Sequence, residues 1–165
     1  MVISMGLRIV IAGGGTGGHL YPGIAVAQEM TRRSPKTRVT FAGTTKGIES
    51  RAVPEAGFEL DFIRSAGLKD KSGRELARNL AMLPVSACDA WRLLSRRVPH
   101  LVMGVGGYSS GPVVAIAALR GIPTLVLEQN VIPGLTNRLL APFVRAVAVT
   151  FASTLSDFGS KGFMS

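Results

Sequence analysis

At 165 residues the chain is long enough for one domain with a substantial core and too short for two ordinary ones. Its 47% hydrophobic and 18% charged residues exclude disorder, because so apolar a chain buries enough surface to offset its ordering entropy. Lys and Arg number 19 against 10 Asp and Glu, a net charge of +9, which points to an anionic partner (phosphate, nucleic acid or membrane) or else to no more than a soluble basic surface.

Leu7 to Ala12 is a short β-rich run and predicts a first strand. A glycine loop follows, then a helix from Pro22 to Arg33, where Pro22 suits a first helical turn because its missing N–H costs nothing there. Arg38 to Gly43 reads as strand two, Ile48 to Glu55 as a short helix stopped by Gly57, and Glu59 to Arg64 as strand three. A loop rich in Gly, Lys and Asp runs from Ser65 to Gly73. Glu75 to Arg97 is a long helical stretch that Pro84 should kink or divide. Leu101 to Gly104 is strand four, Pro112 to Leu119 a helix, Thr124 to Leu127 strand five, Leu135 to Val144 a helix and Ala146 to Phe151 strand six. The tail from Ser153 to Ser165 is small and polar and reads as a chain stopped at a boundary.

Strands alternating with helices imply right-handed crossovers and an α/β, doubly wound, mostly parallel sheet. The continuous apolar strands fit a sheet covered on both faces. One domain is expected over 1–165, with its core at about residues 7–152. Leu101 to Leu119 carries no charge, but Gly106-Gly107 and Gly111-Pro112 break it, so no transmembrane segment is expected. The apolar run Leu7 to Ala12 is too short for a signal peptide. Cys88 is the only cysteine, which rules out an internal disulfide or a cysteine metal cluster and predicts a packed, inert thiol.

Gly13-Gly14-Gly15-Thr16-Gly17-Gly18-His19 sits between a strand and a helix, where backbone N–H groups and the helix dipole attract anions. The spacing Gly13-x-Gly15-x-x-Gly18 matches the dinucleotide fingerprint. That reading needs an acid at the end of strand two, and Ala42-Gly43-Thr44-Thr45 supplies none. A tight turn without a ligand stays open. Gly104 to Pro112 repeats the physics after strand four, so the two loops together favour a phosphorylated ligand. His19 stands at this mouth as a base or as a helix-start histidine that only hydrogen-bonds. Glu128 ends an apolar strand, where a carboxylate needs a purpose or a partner, or serves as a cap. No metal site and no cofactor are expected.

In chain order, Gly14 to His19 with Pro22-Gly23, then Gly106-Gly107-Tyr108-x-Ser110-Gly111-Pro112, then Glu128-Gln129-Asn130 with Gly134-Leu135-Thr136-Asn137, resemble the MurG family of glycosyltransferases. The resemblance covers nearly the whole chain from Leu7. It implies the N-terminal, Rossmann-like half of a GT-B transferase that adds N-acetylglucosamine from UDP-N-acetylglucosamine to an undecaprenyl-diphosphate-muramyl-pentapeptide, by inverting displacement without metal. On that resemblance Gly14, Gly15, Gly106, Gly107, Tyr108 and Ser110 hold the acceptor diphosphate. Thr16, Gly17, Gly18 and Asn130 touch the donor. His19 and Glu128 are catalytic, His19 as the base. Leu127 stands where family members commonly carry histidine, so that role is not transferred. The chain stops at Ser165, before the family's donor-binding C-terminal domain, so it is expected to be inactive alone.

Arg64 to His100 holds eight Lys and Arg (Arg64, Lys69, Lys71, Arg74, Arg78, Arg92, Arg96 and Arg97) against Asp70, Glu75 and Asp89. Leu76, Leu80 and Leu83 recur within it at helical spacing, with Trp91 and Leu94 further on. An apolar stripe flanked by arginine is the pattern of a helix lying on an anionic membrane, or of one facing the core. The resemblance favours membrane docking on the cytoplasmic face, through Leu76, Leu80, Leu83, Arg74 and Arg78. Alternatives are a stand-alone subunit of a split glycosyltransferase and a nucleotide-dependent oxidoreductase. Nucleic-acid binding finds no support, since no aromatics interleave with the basic run.

Overall fold

A computed structural model of the chain describes residues 6–67 and 73–165. Strands β1 (Arg8–Ala12), β2 (Arg38–Gly43), β3 (Glu59–Phe62), β4 (Leu101–Gly104), β5 (Thr124–Glu128), β6 (Ala146–Val149) and β7 (Gly162–Met164) form one sheet. Every pairing is parallel, in the order β3-β2-β1-β4-β5-β6-β7. The helices are α1 (Gly17–Arg33), α2 (Glu49–Glu55), α3 (Gly73–Ala81), α4 (Leu83–Arg97), α5 (Ser110–Leu119), α6 (Leu135–Leu140) and α7 (Leu155–Phe158).

The period-2 alternation of each strand sends its side chains into two cores. Ile9 and Ile11 of β1 join Phe41, Leu20 and Ile24 on the face covered by α1 and α2. Val10 and Ala12 join Leu93, Leu94, Val113 and Val114 on the face covered by α4 and α5. Both cores are mostly aliphatic, so all but the sheet's outer strands read as apolar runs. The doubly wound expectation therefore holds.

Three expectations are corrected, and the expected division of the long helical stretch is met. Helix α1 begins at Gly17, five residues before Pro22, which lies inside it. The tail is not featureless, because α7 and β7 extend the sheet, with Val147 beside Gly162 and Val149 beside Met164. Phe158 is buried in the core and pins this segment. Cys88 is exposed on α4 and not packed. The long helical stretch is two helices broken at Met82, with Pro84 in the first turn of α4, where it leaves no donor missing. Among the described residues no helix is long and apolar enough to cross a membrane.

Helix α4 ends on Val98 in the left-handed region, at φ 45°. A β-branched residue is strained there, and glycine is the usual occupant. Val98 is 58% exposed, so its side chain contributes little burial. Val98→Gly should therefore raise stability by about 1 kcal/mol, seen as a higher urea midpoint at unchanged slope. A lower midpoint would contradict the strain.

Candidate functional site

The strand order reverses between β1 and β4, and a doubly wound sheet opens its ligand crevice at such a point. Ala12 lies beside Gly104 at the ends of these strands, and Val105 N–H donates to the Ala12 carbonyl at 2.9 Å. The two glycine loops therefore leave the sheet side by side. Their contact is close enough to exclude side chains. A Cβ on Gly107, at φ 79°, would overlap the carbonyl oxygen of Gly14.

Both loops border a cavity of about 750 Å³. Its polar end is made by Gly14, Gly15, Thr16, His19, Gly106, Gly107, Tyr108 and Asn130. Its other end is apolar, walled by Leu83 and Ala87 of α4, Pro112, Ala115 and Ile116 of α5, and Leu135, Leu139 and Leu140 of α6. At the polar end α1 starts on Thr16, whose hydroxyl makes no capping bond. Helices leave their first N–H groups without intrahelical partners, and here those of Gly17 and Gly18 stand at the positive end of a 17-residue dipole.

Sequence reading missed the group that shapes the first loop. Glu49, in the first turn of α2, is fully buried. Its Oε2 accepts from Gly15 N–H at 2.8 Å, and its Oε1 accepts from the N–H and hydroxyl of Thr44, both at 2.9 Å. A Cβ on Gly14, Gly43 or Gly47 would strike this carboxylate, so those glycines make room for it. An acid does reach the end of β2, but its oxygens are spent on the protein's own donors rather than on a ribose. The clue was Gly43-Thr44-x-x-Gly47-x-Glu49, small residues converging on one acid six positions after the strand.

His19 is half-buried, and its Nδ1 lies 2.6 Å from Gln129 Nε2. The same Gln129 nitrogen donates to the carbonyls of Gly18 and Val105, at 3.0 and 3.1 Å. The Gly18 carbonyl is free because Pro22, four residues on, has no N–H to offer it. Pro22 thus sits inside α1 at no loss, and the bond it vacates ties α1 to the end of β5. Gln129 Oε1 is buried without a partner. The ring tautomer and the Gln129 amide orientation are coupled, since an Nδ1–H needs an oxygen opposite it.

Glu128 braces the neighbouring loop. It is fully buried, does not line the cavity, and has both oxygens occupied. Oε1 accepts from the N–H and Nδ2 of Asn130, and Oε2 from Gly134 N–H and Asn137 Nδ2, each at 2.9 Å. Four donors offset the cost of burying a carboxylate and fix the loop that presents Asn130 to the cavity. Ser110 is likewise fully buried, near enough that a Cβ on Gly104 would meet its hydroxyl, and it does not line the cavity. His100 is a tether, its Nδ1 accepting from Arg8 N–H at 3.1 Å. Among the described residues no group of three or more His, Cys, Asp or Glu is placed to hold a metal.

The profile of the glycosyltransferase family 28 N-terminal domain matches residues 9–149, which include both glycine loops and the Glu128 loop. The chain belongs to this family. It is 47% identical over 155 residues to the UDP-N-acetylglucosamine--N-acetylmuramyl-(pentapeptide) pyrophosphoryl-undecaprenol N-acetylglucosamine transferase of Myxococcus xanthus, covering 94% of this chain and 40% of that protein. It is 45% identical to the same-named protein of Thermodesulfovibrio yellowstonii, covering 92% and 42%. Among solved structures, MurG of Acinetobacter baumannii matches at a TM-score of 0.80 with 26% identity, over 96% of this chain and 44% of that one. The UDP-GlcNAc 2-epimerase of Neisseria meningitidis shares the fold, at a TM-score of 0.66 and 13% identity over 97% and 45%. The chain spans about two fifths of the length of the curated relatives it matches.

Glu49→Ala would leave three buried or part-buried donors facing a void. It should cost about 3 kcal/mol in chemical denaturation, and Glu49→Gln distinctly less. A loss near zero for the alanine variant would show that the carboxylate does not hold the loop.

Proposed function

We propose that this family 28 domain is the acceptor- and membrane-binding part of an inverting N-acetylglucosaminyltransferase that acts on a diphosphate-linked lipid of cell-wall synthesis. The observation that carries this reading is the amphiphilic cavity: two touching glycine loops and the start of α1 at one end, an apolar wall at the other. A diphosphate suits the first and the start of a lipid or sugar face the second. Gly14, Gly15, Gly106, Gly107 and Tyr108 border the diphosphate, the Gly15 N–H being already given to Glu49, while Ser110 is buried away from the cavity. Thr16, Gly17, Gly18 and Asn130 meet the donor UDP-N-acetylglucosamine, whose remaining contacts come from beyond this chain.

His19 is the base. The acceptor hydroxyl attacks the anomeric carbon of the donor from the face opposite UDP. Its proton passes to His19 Nε2 as the new glycosidic bond forms, and UDP leaves with the electrons of the breaking carbon–oxygen bond. For Nε2 to accept, Nδ1 must carry the ring hydrogen and Gln129 must turn Oε1 toward it. That turn gives the orphaned Oε1 a partner and withdraws Nε2 from the Gly18 and Val105 carbonyls, so the brace and the base belong to alternative orientations of Gln129.

The α3–α4 flank fits a peripheral contact with the membrane. Leu80, Leu83 and Trp91 are 46%, 42% and 53% exposed rather than buried in the core. Arg74 and Arg78 are exposed beside them, and Leu83 also reaches the cavity. The side chain of Leu76, and Lys69, Asp70 and Lys71, lie outside the described residues. Exposed leucine and arginine on one flank suit an anionic bilayer, each cation there being worth about 1 kcal/mol.

Inorganic pyrophosphate should shift the amide resonances of Gly14 to Gly18 and of Gly106 to Ser110. No shift at millimolar pyrophosphate would remove the diphosphate assignment. In the complete two-domain enzyme, His19→Ala should lower kcat by about a hundredfold or more with the fold intact, and near-normal turnover would reject the base. Anionic vesicles should sediment with the chain at low salt, and less so with Leu80→Glu or at raised salt. Binding indifferent to both would refute the docking face.

A further inference from the structure

A second cavity of about 950 Å³ lies beyond the ends of β2 and β3 and against α3 and α4. Five of its lining side chains are cationic, Lys46, Arg64, Arg78, Arg92 and Arg96, and one is a carboxylate, Asp89. Arg64 grips Asp89 with two bonds of 2.8 and 2.6 Å, and that hydrogen bonding is the main cause holding the Asp89 carboxyl below its usual range. Arg96 pairs with Asp61 at 2.7 Å. Among the described residues Lys46, Arg78 and Arg92 form no hydrogen bond or ion pair with another side chain. A concave site with this surplus of positive charge concentrates anions.

The two cavities meet. Ser65, Ala66, Gly67 and Tyr108 line both, and Ser65 donates its hydroxyl hydrogen to the Tyr108 carbonyl at 3.0 Å, which fixes this sill. A ligand anchored at the glycine loops has a continuous route over it. Five extended residues reach at most about 17 Å, a length that suits a site sharing a wall with the first cavity.

We propose that this basic cleft binds an acidic peptide through its carboxylates. On the reading above, from which the peptide's identity comes, it is the peptide arm of the acceptor. Arginine is the residue suited to carboxylates, because its fork offers two parallel donors. The site's shape argues for a peptide over a bilayer. A bilayer is broad and meets protruding groups, and the exposed Leu80 and Trp91 are not part of this lining.

The test uses a fluorescent five-residue peptide with two free carboxylates, its bis-amide, and anisotropy at low salt. The free acid should bind this chain about tenfold more tightly than the amide. Arg78→Ala with Arg92→Ala should erase that difference, while the pyrophosphate shifts at the glycine loops persist and so report an intact fold. Equal binding of acid and amide would overturn the proposal, as would a double variant that keeps its preference for the acid. A double variant that loses only vesicle binding would assign the cleft to the membrane instead. If pyrophosphate leaves the glycine loops unmoved but the acid preference stands, the diphosphate reading fails and the cleft remains a peptide site.

Discussion

Everything at the mouth of this domain depends on the parallel pairing of β1 with β4. β1 runs straight into Gly13 and β4 ends on Gly104, and the register places Ala12 beside Gly104, so both loops emerge at one level. A side chain on Gly107 would meet the Gly14 backbone and push the loops apart. Both loops and the start of α1 then border one cavity, where the first N–H groups of α1 lie at the positive end of its dipole.

Two buried carboxylates keep that geometry, one on each side of the mouth. Glu49 binds the first loop to the end of β2, and Glu128 binds the Asn130 loop to α6. Neither faces the cavity. Each converts free backbone N–H groups into satisfied ones, which lets irregular backbone be buried at all. Gln129 adds a third brace. It links the end of β5 to α1 through a carbonyl that Pro22 leaves free, and it holds His19 on its Nδ1 side. The residues that line the cavity are therefore fewer than the motif residues, and much of each motif is support.

The basic flank divides by partner. Arg97 bonds Asp61 and Glu59 and joins α4 to β3. Arg120 stacks over Trp91 at 4.7 Å and bonds its carbonyl, shading one side of an otherwise exposed ring. Lys46, Arg78 and Arg92 face the second cavity instead. A count of charges along the chain merges these roles, because it does not register which cations carboxylates already occupy.

The sequence by itself determined the alternation of strands and helices, the doubly wound sheet and the position of both glycine loops. These follow from local rules: apolar runs of strand length, glycine at turns, proline near helix starts. It also carried the family resemblance, which the match over residues 9–149 bears out. Tertiary structure alone decided the rest. Helix α1 starts at Gly17 because a distant glutamine supplies the bond Pro22 cannot. The tail forms β7 because β6 offers it an open edge and Phe158 a place in the core. Glu49 and Glu128 became braces because their partners are brought to them by the fold, and a carboxylate's role is set by which donors surround it. Periodicity reports which face of an element is buried; it does not report what stands opposite.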